Sequence, residues 1–325
     1  MVLAAALLAA VAGCTSAAPS PTAPTPPPVV TPPPVAAAPT LQCPAPLVVS
    51  TTSSSGTTAT FPTPESEGGQ APVTVACAPA SGATFPIGST EVRCTATDAL
   101  NQTGSCVFPV NVSRTPQLTK VKFLAFGDSI TVGWIATTNP SGTPPYNLRV
   151  ATESAYPAVL AQLLEARYTA QDFVVINEGK GGEKAADGYS RFFSAVNTHQ
   201  PEVVLILDGY NDLGAGADGI PAAITAVTDM AKHARFRGAR VFIGTLTSPV
   251  PGINKGLSDQ VIRAYNDRLK DVARGELAVL VDLHAATVTN PALYNSDDNR
   301  HLSEAGYRKV AETFLAAIRA NLEQP

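Results

Sequence analysis

"FLAFGDSIT", residues 123–131, is an apolar run that stops on Gly127, Asp128 and Ser129. Its apolar residues do not alternate with polar ones, as expected for a strand covered on both faces of a parallel sheet. Glycine, aspartate and serine are also ordinary turn and helix-cap residues. The stretch alone therefore leaves open whether Ser129 caps a helix or serves as a nucleophile at the mouth of a sheet. The rest of the chain narrows the choice. From Val121 onward similar runs recur: "FVVIN" at 173–177, "EVVLILD" at 202–208, "ARVFIGTL" at 239–246 and "LAVLVDL" at 277–283. Helical patterns lie between them near 155–168, 185–198, 222–237, 256–274 and 302–322. This β-α repetition predicts an α/β fold, a three-layer doubly wound parallel sheet. Ligands bind such sheets at the carboxyl ends of the strands, near a switch in strand order.

The residues after each strand carry the chemistry. Gly127-Asp128-Ser129 follows the first strand. "NEGKGGE", with Asn177, Gly179, Gly181, Gly182 and Glu183, follows the second. "GYND", Gly209 to Asp212, follows the third, and "DDNRHLSEAGY", with Asp298 and His301, precedes the last helix. Each string alone is common turn material, but four in this order at one edge of a sheet point to a site. A serine hydroxyl needs an adjacent base near neutrality, which His301 can supply. Its imidazolium needs an oriented carboxylate, and Asp298 lies three residues away. Donors aimed at an oxyanion are worth roughly 2–4 kcal/mol each. A glycine N–H admits close approach, and an asparagine amide donates without charge.

The constellation resembles the SGNH/GDSL hydrolase family, whose blocks carry Ser, Gly, Asn and His, across residues 121–325. The resemblance implies a flavodoxin-like hydrolase in which Ser129, Asp298 and His301 are catalytic. It also implies an oxyanion hole of Ser129, Gly182 and Asn211, and no cofactor. Gly182, five residues after Asn177, fits the glycine block best, with Gly179 and Gly181 as alternatives. Ile130 stands where the family most often has leucine.

Other candidates receive structural roles. Asp128 and Asp212 are expected to brace their loops through backbone N–H groups. His199 suits a helix C-terminus, His233 a solvated basic face, and His284 lacks the Asp-x-x-His spacing. Asp297 is the rival to Asp298. The irregular, aromatic segment 133–155 is a candidate substrate wall, with Trp134, Tyr146 and Arg149 as contacts. Residues 249–256 are the candidate opposite wall. No helical histidine pair or carboxylate cluster implies a metal.

The N-terminal part differs in kind. "VLAAALLAAVAG" is too short an apolar stretch to span a bilayer as a helix. It ends at Cys14 in "VAGC", which resembles a bacterial lipobox and implies a signal peptide at 1–13 and a lipid anchor on Cys14. The basic start of such signals is missing, since no charged side chain precedes Glu65. An ordinary secretory signal is the alternative. Twelve of the 29 prolines fall between Pro19 and Pro46, so 14–40 reads as a Pro-rich linker. Residues 41–114 carry short β-branched runs punctuated by turns, a small antiparallel β-sandwich. Cys43, Cys77, Cys94 and Cys106 all lie there, predicting two disulfides whose three connectivities the sequence does not rank. Zinc is the rival reading of these cysteines, without a CxxC pair to support it. Residues 80–112 closely resemble the hyalin repeat (HYR) family, in a match that covers about 70 residues, which implies an all-β immunoglobulin-like module with an adhesive or spacing role and an unassigned partner.

The expected domains are thus 1–13, 14–40, 41–114 and 119–325. The formal net charge is −4 with a charged fraction of 15%, and the lack of a basic stripe excludes nucleic acid as a partner class. The expected function is an exported serine esterase of short-chain or acetyl esters, acetylated polysaccharide among them, held at the cell envelope by its lipid or secreted. The alternatives are a lipase or arylesterase of longer acyl groups, an acyl transferase to sugar, and a non-catalytic adhesive or glycan-binding lipoprotein.

Overall fold

The computed structural model describes residues 36–138, 145–252 and 257–324. The readings of 1–13 and Cys14 therefore lie outside the described residues, as do most of the linker and 253–256 of the candidate wall.

Eight strands form the N-terminal module: β1 (Thr40–Gln42), β2 (Leu47–Thr51), β3 (Thr57–Thr58), β4 (Glu65–Glu67), β5 (Thr74–Ala78), β6 (Thr84–Phe85), β7 (Gly88–Thr97) and β8 (Thr103–Arg114). The main sheet runs β2-β8-β7-β5, with β1-β4 and β3-β6 as two-stranded pairs. Alternation along β7 buries Val92, Cys94 and Ala96, and the first two meet Phe61, Phe85, Phe108 and Val110. Phe61 meets Phe108 edge to face, with ring centroids 5.0 Å apart. One departure from the antiparallel expectation is that β2 pairs with β8 in parallel. Disulfides join Cys43 to Cys106 and Cys77 to Cys94. By the loop-closure relation these stabilise the module by about 4 and about 3 kcal/mol, large beside so small a core.

The C-terminal region is built on five parallel strands: β9 (Lys122–Gly127), β12 (Val174–Gly179), β13 (Val203–Leu207), β14 (Arg240–Gly244) and β15 (Val279–Val281). Their order is β12-β9-β13-β14-β15. The helices are α1 (Ser129–Val132), α2 (Tyr156–Arg167), α3 (Ala185–His199), α4 (Ile220–Phe236), α5 (Asp259–Gly275), α6 (Leu283–Thr287), α7 (Pro291–Tyr294) and α8 (Glu304–Leu322). All five predicted strands and five long helices appear. The hairpin β10 (Trp134–Thr137) and β11 (Asn147–Val150) does too, inside the segment read as irregular. Every residue of β13 is buried, and β9 is buried from Phe123 to Gly127, as two-sided cover by helices requires. From β9 the chain steps outward to β12, then returns across β9 to β13. The strand order therefore switches at the carboxyl ends of β9 and β13, where Ser129 and Asn211 follow.

Candidate active site

Gly127 closes β9 against β13. A Cβ there would lie 2.0 Å from the Leu207 carbonyl oxygen, so no larger residue lets the two strands end together. Asp128 then caps α1, its Oδ1 accepting from the Ile130 N–H at 2.9 Å. Ser129 is thereby set at the first position of α1, directly over the switch point. The helix cap in that stretch is thus Asp128, and Ser129 is the residue it presents. Asn177 ties the neighbouring strand in, donating its amide to the Thr131 carbonyl at 2.9 Å.

The second block turns through Gly182 at φ +75°, a left-handed conformation that favours glycine. A Cβ at Gly182 would meet no atom within 4 Å, so its backbone angle, not crowding, calls for glycine. The alternatives are committed elsewhere. A Cβ at Gly179 would strike the Val132 nitrogen at 2.3 Å, and one at Gly181 would strike the Trp134 ring at 2.4 Å. Among the described residues the Gly182 N–H has no hydrogen-bond acceptor. Glu183 anchors the turn: its carboxylate is held by Arg191 and, at 3.0 Å, by Lys180. Arg191 also lies over the Phe126 ring and donates to the Glu178 carbonyl at 2.7 Å. Sequence reasoning gave Arg191 no role, and its place on a helix face carried no signal.

Asn211 follows β13. Its Nδ2 donates to the Glu183 carbonyl at 3.0 Å and approaches Asp128 Oδ2 at 3.4 Å, which brings the first three blocks together. Asp212 accepts from the Ala185 N–H at 2.8 Å and caps α3, so the expected bracing role extends to a neighbouring loop. Asp208 lies beneath, with Oδ1 accepting from Gly209 N–H. Burial raises its pKa well above the ordinary value, and the Asp128 charge adds to the rise.

The last block completes the cluster. His301 Nε2 lies 2.8 Å from Ser129 Oγ, and His301 Nδ1 lies 2.7 Å from Asp298 Oδ2. Burial works to raise the Asp298 pKa, but the His301 ring and the His301 and Arg300 N–H groups outweigh it and hold it down to about 2. The Ser296 hydroxyl, which sequence reasoning missed, can donate to Asp298 Oδ1 at 3.3 Å or the His301 carbonyl at 3.0 Å. The rival Asp297 instead accepts from the Thr138 N–H at 2.6 Å.

The remaining candidates are placed as follows. The Trp134 ring lies 5.8 Å from that of His301, and the Tyr307 hydroxyl holds the Trp134 main chain, donating to its carbonyl at 2.6 Å. Tyr146 is half-buried just before β11, and Arg149 is engaged by Glu304 at 2.7 Å. Val250 of the candidate opposite wall donates its N–H to Asn299 Oδ1 at 2.7 Å. His284 pairs with Asp259 at 2.8 Å, away from Ser129, and His199 pairs with Glu178 at 3.0 Å. His233 is not the solvated residue expected. Its ring packs 4.3 Å from Phe193, and its Nε2 is buried without an acceptor among the described residues.

Comparison with known proteins bears on the family and the fold. The model of the GDSL-like lipase/acylhydrolase family matches residues 125–309, and that of the HYR domain matches 35–112. An arylesterase of Vibrio mimicus is 27% identical over 193 residues, 59% of this chain and 84% of that protein. An alpha/beta hydrolase enzyme from the metagenome of Lake Arreo, Spain, shares the fold at a TM-score of 0.50 and 23% identity, over 61% of this chain and 94% of its own. A lipase/acylhydrolase from Enterococcus faecalis does so at 0.50 and 21%, over 62% and 97%. With more than half its length matched, the chain belongs to the GDSL-like lipase/acylhydrolase family, an ester-bond hydrolase preceded by an HYR domain.

Proposed function

We propose that this protein is a serine esterase acting through Ser129, His301 and Asp298. The observation that carries the reading is the unbroken hydrogen-bonded chain from Ser129 Oγ through both imidazole nitrogens to the Asp298 carboxylate. Ser129 Oγ attacks the acyl carbon and passes its proton to His301 Nε2, while Asp298 stabilises the imidazolium through Nδ1–H. The oxyanion is received by the N–H groups of Ser129 and Gly182 and by Asn211 Nδ2, which gives up its 3.4 Å contact with Asp128 for it. Collapse returns the proton from His301 to the departing alcohol and leaves an acyl-enzyme. His301 then takes a proton from water as the water oxygen attacks the acyl carbon, and collapse releases the acid while His301 returns that proton to Ser129 Oγ.

Short acyl groups are favoured, since Trp134 occupies the space beside the imidazole. The arylesterase relative makes an activated aryl acetate the natural first substrate. The full chain should hydrolyse p-nitrophenyl acetate, and Ser129→Ala should lower kcat by about 10⁴-fold or more. An inert wild type overturns the reading, as does a Ser129→Ala variant within tenfold of it.

We place the protein outside the reducing cytoplasm, a reading supported by the two disulfides. Cleavage before Cys14 and its lipidation, checked by mass spectrometry of the mature N-terminus, would make the cell envelope the site of action. The division into 41–114 and 119–325 is supported by the end of β8 at Arg114 and the start of β9 at Lys122.

A further inference from the structure

Arg300 lies between Asp298 and His301 in sequence, yet nothing in the chemistry above uses its side chain. That side chain is exposed, with the guanidinium carbon 5.7 Å from the centroid of the Tyr210 ring. The platform is fixed: Tyr210 is buried, its hydroxyl accepts from the Leu257 N–H at 3.3 Å, and Asn211 follows it. A guanidinium resting on an anchored aromatic face has less freedom to lose on binding than a swinging ammonium.

Among the described residues, no carboxylate lies within ion-pair distance of Arg300. Its basic neighbours are different. Arg149 is neutralised by Glu304, Lys180 by Glu183, and Arg191 by Glu178 and Glu183. The adjacent carboxylates are turned elsewhere, Asp298 to His301 and Asp297 to the Thr138 N–H. The positive charge of Arg300 reaches into the site, where it opposes the burial that raises the pKa values of Asp128 and Tyr210. Lys184, two residues past Gly182, is a second exposed cation without a carboxylate partner among the described residues, and it acts on Asp212 in the same sense. In a chain of net charge −4, two exposed cations without carboxylate partners among the described residues thus stand on the segments that carry His301 and Gly182.

We propose that Arg300 is an anion-recognition residue, and that the esters this site prefers carry a carboxylate beside the scissile bond, as an O-acetylated uronate unit does. The planar fork of the guanidinium matches a carboxylate in two parallel hydrogen bonds. Such a contact holds the acid in place while Ser129 meets the neighbouring ester, and the field of the two cations raises the local concentration of anionic substrate. This rests on the esterase reading and narrows its substrate class.

The test compares kcat/KM of the full chain for meta-acetoxybenzoate and its neutral counterpart meta-acetoxybenzamide. Wild type is expected to favour the anion about tenfold at low ionic strength, with the ratio falling as salt is added. Arg300→Gln should bring that ratio down about tenfold, and Arg300→Lys, which keeps the charge and loses the fork, should fall between. Both esters are measured on one preparation, so any misfolded fraction cancels from the ratio. A wild-type ratio at or below one, or a ratio unchanged in Arg300→Gln, overturns the proposal while the esterase reading stands. Failure to hydrolyse either ester overturns that reading and this proposal with it.

Discussion

The loop that ends in His301 and the turn that ends in Ser129 each bring a carboxylate to the same pair of side chains, and they treat it in opposite ways. Asp298 accepts from His301 Nδ1 at 2.7 Å, from the Arg300 and His301 N–H groups at 3.0 Å each, and from the Ser296 hydroxyl at 3.3 Å. Its pKa falls to about 2 although burial opposes the fall. Asp128 has one short bond, from Ile130 N–H, and the longer contact from Asn211. Burial there prevails and pushes its pKa up to about 6. Asp128 is fully buried and also faces the Asp212 charge, whereas Asp298 is half-buried and better supplied with donors, so burial and donors together separate them. In the proposed mechanism Asp298 is the acid that has to stay charged while His301 carries a proton, and the fold concentrates donors on it. Asp128 is left to shape a turn.

The severest way to break this contrast is Asp298→Asn. An amide in that place cannot stabilise the imidazolium and favours the wrong ring tautomer, so kcat should drop by about 10³–10⁴-fold with the fold intact. A loss below tenfold would mean that Asp298 orients the loop and does little for His301. Acid stability carries the same information. The folded pKa of Asp298 lies below its ordinary value, so its contribution is present above about pH 4 and is lost as pH falls toward 2. The stability advantage of wild type over Asp298→Asn, measured by urea melts, should shrink along that descent.

Asp128→Asn should give a smaller effect of opposite sign. The folded pKa of Asp128 lies above the unfolded value near 4, so the folded state holds its proton more tightly. Stability from this group is greatest below about pH 4 and declines as pH rises through 6. Melts between pH 4 and 7 should show wild type losing ground to Asp128→Asn, with activity at pH 8 reduced only severalfold because Asn211 loses part of its orientation. A stability difference flat across that range would mean that Asp128 is ionised throughout, and the contrast with Asp298 would vanish.

How much of this could be read beforehand follows from where each signal resides. The five-stranded sheet was legible because its strands are apolar on both faces and bounded by glycine and acid, a pattern that belongs to the chain itself. The same holds for Ser129, Asn211 and His301, which follow strands or precede a helix. Partners across space were not legible. Opposite Cys94 in register stand both Cys77 on β5 and Cys106 on β7's other neighbour, β8, and only packing decides that Cys77 takes it. The parallel pairing of β2 with β8 is likewise a property of register, invisible in alternating residues. His233 looked solvated because basic residues surround it in sequence, yet α3 supplies Phe193 from a different stretch. What distinguishes Gly182 from Gly179 and Gly181 was not legible either, since its left-handed backbone angle can be known only once the turn is built.

Ser296 offers the finest adjustment of the contrast. Its hydroxyl accepts from the Ala136 N–H at 3.2 Å and can donate to either Asp298 Oδ1 or the His301 carbonyl, joining β10 to the loop of His301. Ser296→Ala removes the weakest of the four donors around Asp298 and leaves the other three. Each hydrogen bond of this kind is worth about 0.5–1.5 kcal/mol, so kcat should fall about two- to fivefold. The Asp298 pKa should rise slightly, so acid destabilisation should begin at a higher pH than in wild type. If donor count is part of what separates the two carboxylates, the Ser296→Ala pH profile must lie between those of wild type and Asp298→Asn. A profile identical to wild type would assign the whole effect to His301 and the two backbone N–H groups, and leave Ser296 as a tether of the hairpin alone.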